Sequence, residues 1–313
     1  MKSLVFRTAR NSLYLLVSGL LRVTGSDRRR VMGLARILGA LRSRVGYVGR
    51  GRNRALYLET IDRALPGLPP GEREKILLDF WVNHQASFLE LFLSPDLTPG
   101  ALEGWVEFQG LEHLEAALEG GRGALLATMH MGDERLLHIL LALKGFPIRA
   151  LSADFAEYGW AARKARLKAA GAFHPLETGS SHRWMFRSLD AGEAVFMALS
   201  GFGGPRGAWV DLLGHEVLFS SAPARLALRT GAPLLTTVCL RRPDGSCLVR
   251  VDPPLPVERR DRSDEALHRV TSAVVDRFRP MISADPGQFN WMWYIIRHLE
   301  TDPLIGGIHG NRT

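Results

Sequence analysis

Cysteine is scarce in this sequence, which contains only Cys239 and Cys247. The two do not form a C-x-x-C pair, and no histidine cluster accompanies them. A disulfide framework and a zinc site both need several such residues at regular spacing, so neither has support here. We therefore expect two buried thiols in a reducing compartment and no bound metal.

Common nucleotide and nucleophile motifs are also missing. No Walker A sequence occurs, and residues 198–202, Ala-Leu-Ser-Gly-Phe, lack both glycines of a nucleophile elbow. The glycine-rich stretch Gly201–Gly207 departs from G-x-G-x-x-G because Arg206 occupies its last glycine position. A strand pattern follows it instead of a helix, so it does not predict a dinucleotide site.

The chain has no apolar run long enough for a spanning helix, which takes about 20 residues. The apolar stretch Asn11–Val23 is shorter, and Arg7, Arg10 and Arg22 flank it closely. No small-residue cleavage pattern follows, as a signal peptide would require. The pattern predicts an amphipathic helix over residues 1–25 that lies in the membrane interface. The alternative is an ordinary amphipathic helix packed on its own domain.

Acidic residues are almost absent from the first sixth of the chain. Residues 1–54 contain 13 Lys or Arg and one acid, Asp27, which gives +12 and leaves −4 for the rest of a chain of net charge +8. This asymmetry predicts an anionic partner, for which we favour a membrane surface. An acidic protein would also suit this charge. Nucleic acid is not expected, because no aromatic residues alternate with the arginines.

The remaining sequence, of ordinary globular composition, divides into two patterns. Residues 26–110 have helical periodicity, whereas from Gly123 onward short apolar runs alternate with helical segments. Such alternation predicts an α/β fold with a central, mostly parallel sheet flanked by helices. The predicted parts are a membrane-association helix (1–25), a helical region (26–110), an α/β core (111–300) and a tail (301–313).

One stretch combines a buried strand pattern with ionisable residues. In "GALLATMHMGDERLL" the strand pattern ends near His130, and Asp133 and Glu134 open the next helix. Ligands of open α/β sheets bind at the carboxyl ends of strands, so we expect chemistry at His130. If the helix began at His130, Glu134 would be its i+4 neighbour and could orient the imidazole as a general base. The alternative is a capped helix start without a catalytic role.

Four blocks of the chain form a recognisable series: "ALPGLPPGEREKILLDFW", "GRGALLATMHMGDERLL", "GPRGAWVDLLGHEVLFSSAPARLALRTGAPLL" and "PGQFNWMWYIIRH". In this order they resemble the bacterial lipid A lauroyl/myristoyl and phosphatidylinositol-mannoside acyltransferases, a branch of the lysophospholipid-acyltransferase-like superfamily. The resemblance covers nearly the whole chain.

This resemblance implies transfer of a fatty acyl chain from acyl carrier protein or coenzyme A to a hydroxyl of a lipid acceptor. The donor would be a co-substrate, and no cofactor is implied. The reaction would take place at the cytoplasmic face of the bacterial inner membrane, on a peripheral or monotopic protein. His130 matches the family's general base. The residues expected to bind substrate are Arg206, Gly207, Arg135 and Arg166.

The chain departs from the family in its catalytic dyad. The family has His, four intervening residues and then Asp or Glu, but Arg135 stands at that last position here. Three interpretations stay open. Glu134 takes the carboxylate role, Asp133 takes it, or the dyad is broken and the protein is a non-catalytic lipid-binding relative that acts as a scaffold.

Overall fold

The computed structural model describes residues 19, 28–45, 54–94, 97–152, 174–175, 183–200, 207–258, 261 and 263–291. The helices are α1 (Arg28–Val45), α2 (Arg54–Ala64), α3 (Glu72–Leu93), α4 (Leu111–Glu119), α5 (Glu134–Leu143), α6 (Arg183–Asp190), α7 (Ala222–Thr230) and α8 (Asp264–Ala284). The strands are β1 (Val106–Gln109), β2 (Ala124–Thr128), β3 (Ile148–Ser152), β4 (His174–Pro175), β5 (Ala194–Ala198), β6 (Gly207–Leu212), β7 (His215–Ser220), β8 (Leu234–Arg241) and β9 (Cys247–Val251).

Seven strands form one sheet in the order β1-β9-β8-β2-β5-β3-β4. The pairing of β8 with β9 is antiparallel, and the other five pairings are parallel. The predicted α/β fold with a mostly parallel central sheet is therefore confirmed. Strands β6 and β7 form a separate antiparallel hairpin.

Strand β2 lies near the middle of the sheet and is buried along its whole length. Its alternate side chains enter two hydrophobic cores, because successive residues of a strand point to opposite faces. Leu125 and Ala127 pack with residues of α2, α6, α7, α8 and the hairpin, whereas Ala124 and Leu126 pack with α1, α4 and α5. Helices therefore cover both faces of the sheet, and the chain leaving β2 emerges between them.

Helix α1 packs closely along α3, and a small residue permits the approach. A Cβ added at Gly39 would lie 2.7 Å from Cγ2 of Val82, closer than such atoms come to one another. Arg42 also places its guanidinium over the ring of Trp81, 5.6 Å from the centroid. One face of α1 is thus fixed against the fold.

The structure differs from the sequence prediction in the region expected to be helical. Residues 106–109 form β1, an edge strand of the sheet paired with β9, so residues 26–110 are not helical throughout. The strand is short and alternates half-buried and exposed residues, which leaves little apolar signal. The predicted interfacial helix at residues 1–25 falls, except for Gly19, outside the described residues, as does the tail 301–313. Among the helices that the structure describes, none has the length and apolar content to cross a bilayer.

Candidate active site

The segment between β2 and α5 carries the residues that the sequence singled out. Strand β2 ends at Thr128 and helix α5 begins at Glu134, so His130 lies in the connection and not on the helix. Asp133 is the N-cap, because its carboxylate accepts a hydrogen bond from the backbone N–H of Leu136 at 3.2 Å. The premise that the helix begins at His130, with Glu134 as its i+4 neighbour, is therefore wrong.

The imidazole of His130 is held by a serine from the neighbouring strand. Nδ1 of His130 lies 2.5 Å from Oγ of Ser200, and the same oxygen accepts the backbone N–H of His130 at 2.8 Å. Ser200 is fully buried and follows β5, which pairs with β2 in parallel register up to Thr128 and Ala198. Two adjacent strand ends thus bring the histidine and the serine together.

The backbone around His130 is pinned from two sides. The carbonyl oxygen of His130 accepts the N–H of Asn290 at 2.9 Å, and the N–H of Gly132 donates to the carbonyl of Gln288 at 2.8 Å. The N–H of Asp133 donates to the carbonyl of Cys239 at 2.8 Å. The connection is therefore held between β8 and residues 288–290 by backbone hydrogen bonds.

Glycine is required at the centre of this segment. Gly132 has φ +62°, in the left-handed region that side chains disfavour. A Cβ at this position would also lie 1.9 Å from the carbonyl oxygen of Cys239. The close approach of the two backbones thus depends on the missing side chain.

Asp133 belongs to a buried ionic network. Its Oδ2 accepts Nη2 of Arg241 at 2.6 Å, its Oδ1 accepts the hydroxyl of Ser87 at 2.8 Å, and the residue is 1% exposed. Arg241 also binds Glu90 of α3 through both of its terminal nitrogens. Burial, and next the nearby charge of Glu90, raise the pKa of Asp133 to about 7, although Arg241 opposes them. One guanidinium thus serves two buried carboxylates.

Glu134 and Arg135 occupy the first turn of α5, where it faces α3. Nη1 of Arg135 lies 3.2 Å from Oε1 of Glu134, and its guanidinium stacks over the ring of Phe88, 4.6 Å from the centroid. Their side chains are mostly buried. The roles predicted for Glu134 in catalysis and for Arg135 in substrate binding remain predictions.

Of the other residues expected to bind substrate, the structure describes Gly207. It begins β6 and pairs with Ser220, whose N–H donates to the carbonyl of Leu199 at 2.9 Å, next to Ser200. A Cβ at Gly207 would lie 2.5 Å from the backbone carbonyl oxygen of Phe219, so the glycine is required for packing of the hairpin. Its proposed role in binding is untested. Arg206 and Arg166 lie outside the described residues.

The remaining ionisable residues near the site are buried structural groups. His138 packs on Phe196 with 5.3 Å between the ring centroids, and burial lowers its pKa to about 4, which keeps the imidazole neutral. It is a packing residue. Cys239 and Cys247 are buried free thiols, as predicted. Within the described part of the chain, no three His, Cys, Asp or Glu residues lie together as a metal site.

Sequence reasoning missed Ser200, Glu90 and Arg241. A serine directly after a strand is a weak signal on its own, and the order of strands in the sheet, which brings Ser200 to His130, cannot be read from one sequence. The sequence did contain signals for the ionic network. Glu90 lies within an apolar helix and Arg241 at the end of an apolar strand, and charges that are buried in this way are normally paired.

Comparison with known proteins finds a matching family and named relatives. Residues 2–297 match the family described as bacterial lipid A biosynthesis acyltransferase. A phosphatidylinositol mannoside acyltransferase of Mycolicibacterium smegmatis is 25% identical over 232 residues, which cover 72% of this chain and 74% of that protein. A protein of the same name from Mycobacterium tuberculosis is 27% identical over 187 residues, which cover 58% of this chain and 57% of that protein.

Proposed function

This chain belongs to the bacterial lipid A biosynthesis acyltransferase family, and we propose that it transfers a fatty acyl chain from an acyl thioester to a hydroxyl of a lipid or glycolipid. The donor is acyl carrier protein or coenzyme A, and the reaction takes place at the cytoplasmic face of the inner membrane. The mycobacterial relatives, named for acylation of a phosphatidylinositol mannoside, make a glycolipid the first acceptor to test.

The proposed base is His130. Ser200 Oγ can accept both the backbone N–H and a ring Nδ1–H of His130, because a hydroxyl oxygen has two lone pairs. That arrangement leaves Nε2 unprotonated and able to take the proton of the acceptor hydroxyl. The position of this ring at the carboxyl end of a central strand is the observation that carries the proposal.

The reaction then proceeds by direct displacement, without an acyl-enzyme. The acceptor oxygen forms a bond to the thioester carbonyl carbon as its proton passes to Nε2. The tetrahedral intermediate collapses with cleavage of the carbon–sulfur bond, and the imidazolium returns the proton to the leaving thiolate. Arg206 and the backbone of Gly207 would stabilise the oxyanion. Arg135 and Arg166 would bind phosphate groups of the donor or acceptor.

The two carboxylates of the connection receive different roles in this proposal. The oxygens of Asp133 are occupied by Arg241, Ser87 and the N–H of Leu136. We therefore assign Asp133 to positioning of the backbone beside His130. Glu134, in the first turn of α5, is the carboxylate that we expect to stabilise the imidazolium.

Release of free thiol from an acyl thioester tests this function. The purified protein is incubated with acyl carrier protein or coenzyme A thioesters and a bacterial lipid extract, and the lipids are analysed for a new ester. His130→Ala should abolish thiol release. His268→Ala, at an exposed histidine of α8, is the control and should retain it. The proposed function is wrong if the wild type releases no thiol with any donor, or if His130→Ala is as active as the wild type.

A further inference from the structure

Helix α1 exposes two large aliphatic side chains on one face. Ile37 is 61% exposed and Leu41 is 55% exposed, and they stand four residues apart, so they are neighbours on the helix surface. A Cβ at Gly33, one turn before Ile37, would meet nothing within 4 Å, so this face is open. The two side chains form a small apolar patch on the helix surface, and its meaning depends on the charges beside it.

Positive charge lies beside the same face. Helix α1 contains six arginines and no acidic residue. Arg36 and Arg44 are exposed next to the aliphatic pair, and Arg29 is exposed two turns before Ile37. For these three, no ion pair is found among the residues that the structure describes. We name Arg29, Arg36, Ile37, Leu41 and Arg44 the exposed α1 face.

Aliphatic side chains that lie beside exposed arginines suit an anionic bilayer surface. The aliphatic groups enter the acyl region while the guanidinium groups remain at the level of the phosphates. We propose that the exposed α1 face docks the protein on anionic phospholipid. We commit to lipid as the occupant because a bilayer supplies both phosphates for the arginines and an acyl region for Ile37 and Leu41, and binding to vesicles without any protein partner tests this choice.

The opposite face of α1 reaches the candidate site. Sδ of Met32 lies 4.0 Å from Nη1 of Arg241, the residue that binds Asp133. A membrane bound to the exposed α1 face is therefore one helix diameter from the network that positions the connection around His130. Docking through α1 would fix the catalytic domain directly on the lipid surface, independently of the segment that precedes residue 28.

Vesicle flotation of the full chain tests the proposal. The vesicles are phosphatidylcholine alone or a phosphatidylcholine–phosphatidylglycerol mixture, and no thioester is present. The wild type should bind the anionic vesicles more strongly and lose binding as salt is added. Ile37→Ser/Leu41→Ser should lower the partition coefficient by about tenfold or more. Arg36→Gln/Arg44→Gln should lower it by roughly fivefold per arginine, on anionic vesicles only.

Matched controls use exposed residues on other elements. Trp209→Ser changes the third large apolar residue that is exposed in the described part of the chain, at 42%. Arg183→Gln/Arg187→Gln changes two exposed arginines spaced four apart on α6. Both should float like the wild type. Equal losses in these controls and in the α1 variants would overturn the assignment to α1.

Two further outcomes would also overturn the proposal. Unchanged flotation of Ile37→Ser/Leu41→Ser would show that lipid does not cover the pair, and a lowered melting temperature would then show that protein covers it. Equal binding of the wild type to neutral and anionic vesicles would show that the arginines do not contribute to binding. The proposal deepens the proposed function but is tested separately, because His130→Ala should float normally while releasing no thiol.

Discussion

Arg241 donates a hydrogen bond to Oδ2 of Asp133 over 2.6 Å, with both side chains almost completely shielded from water. The pair joins the end of β8 to the N-cap of α5, two elements that enclose the connection carrying His130. Since Glu90 binds the same guanidinium, α3 is tied to the same point. The network therefore links three elements around the candidate base.

Removing the cation of this network should destabilise the protein severely. Arg241→Leu leaves the carboxylates of Asp133 and Glu90 buried without their counter-charge. We expect the free energy of unfolding to fall by about 3–5 kcal/mol. Urea unfolding measures this change, with Arg242→Leu as the control, because Arg242 forms an exposed pair with Glu107 that contributes at most about 1 kcal/mol. Similar losses in the two variants would contradict the structural role of Arg241.

The carboxyl of Asp133 should give stability a characteristic dependence on pH. Its pKa is raised to about 7 in the folded state, from an ordinary value near 4 in the unfolded chain. Between those values the folded protein holds a proton that the unfolded chain releases, so this group's contribution is greatest below pH 4 and is lost as the pH rises to 7. Asp133→Asn does not titrate and should lose this part of the slope. The assignment would be refuted if the unfolding free energies of the wild type and Asp133→Asn, measured in urea, changed equally with pH between 4 and 7.

The fold could be predicted largely from periodicity, whereas the partners within the site could not. The apolar run before His130 predicts a buried strand, and the alternation that follows predicts parallel pairing. The position of His130, the first ionisable residue after that strand, was thus visible in the chain. Ser200 is 70 residues away, and its contact with His130 depends on β5 lying beside β2.

The start of α5 shows how local detail limits such predictions. Helix periodicity alone allowed a start at His130 or at Glu134. Two features decide for the later start: Asp133 caps the helix, and Gly132 takes a positive φ that a helix interior does not allow. Strand β1 was missed for a different reason, since an edge strand with two exposed polar residues has no strong apolar pattern.

Gly132→Ala should be much more damaging than an alanine at another glycine with positive φ. Its Cβ would lie 1.9 Å from the carbonyl oxygen of Cys239, so the backbones must separate. Gly121 has φ +70° but open space around it, and Gly121→Ala should cost about 1–2 kcal/mol for the left-handed conformation alone. Urea unfolding and thiol release compare the two. Equal stability of the variants would show that the connection can move away without cost.

Glu134→Gln distinguishes a catalytic carboxylate from a simple helix-terminal charge. If Glu134 stabilises the imidazolium, kcat should fall about tenfold or more. The loss of stability should be only about 0.3–1 kcal/mol, the effect of an acid in the first turn of a helix. Glu112→Gln removes the corresponding first-turn acid of α4 and should leave kcat unchanged. Unchanged thiol release by Glu134→Gln would favour the capping interpretation of the sequence.

The contact between His130 and Ser200 predicts that a small hydroxyl controls the activity of the base. Ser200→Ala leaves Nδ1 and the N–H of His130 without their described oxygen partner, so the ring can turn and can protonate on the wrong nitrogen. We expect kcat to fall by up to about 100-fold, with little change in KM and a shifted pH–rate profile. The control is Ser220→Ala. Ser220 ends strand β7 of the hairpin, and its hydroxyl accepts the N–H of Ala222. If Ser200→Ala retains the kcat and the pH profile of the wild type, Ser200 is a packing residue and the imidazole must be oriented by another group.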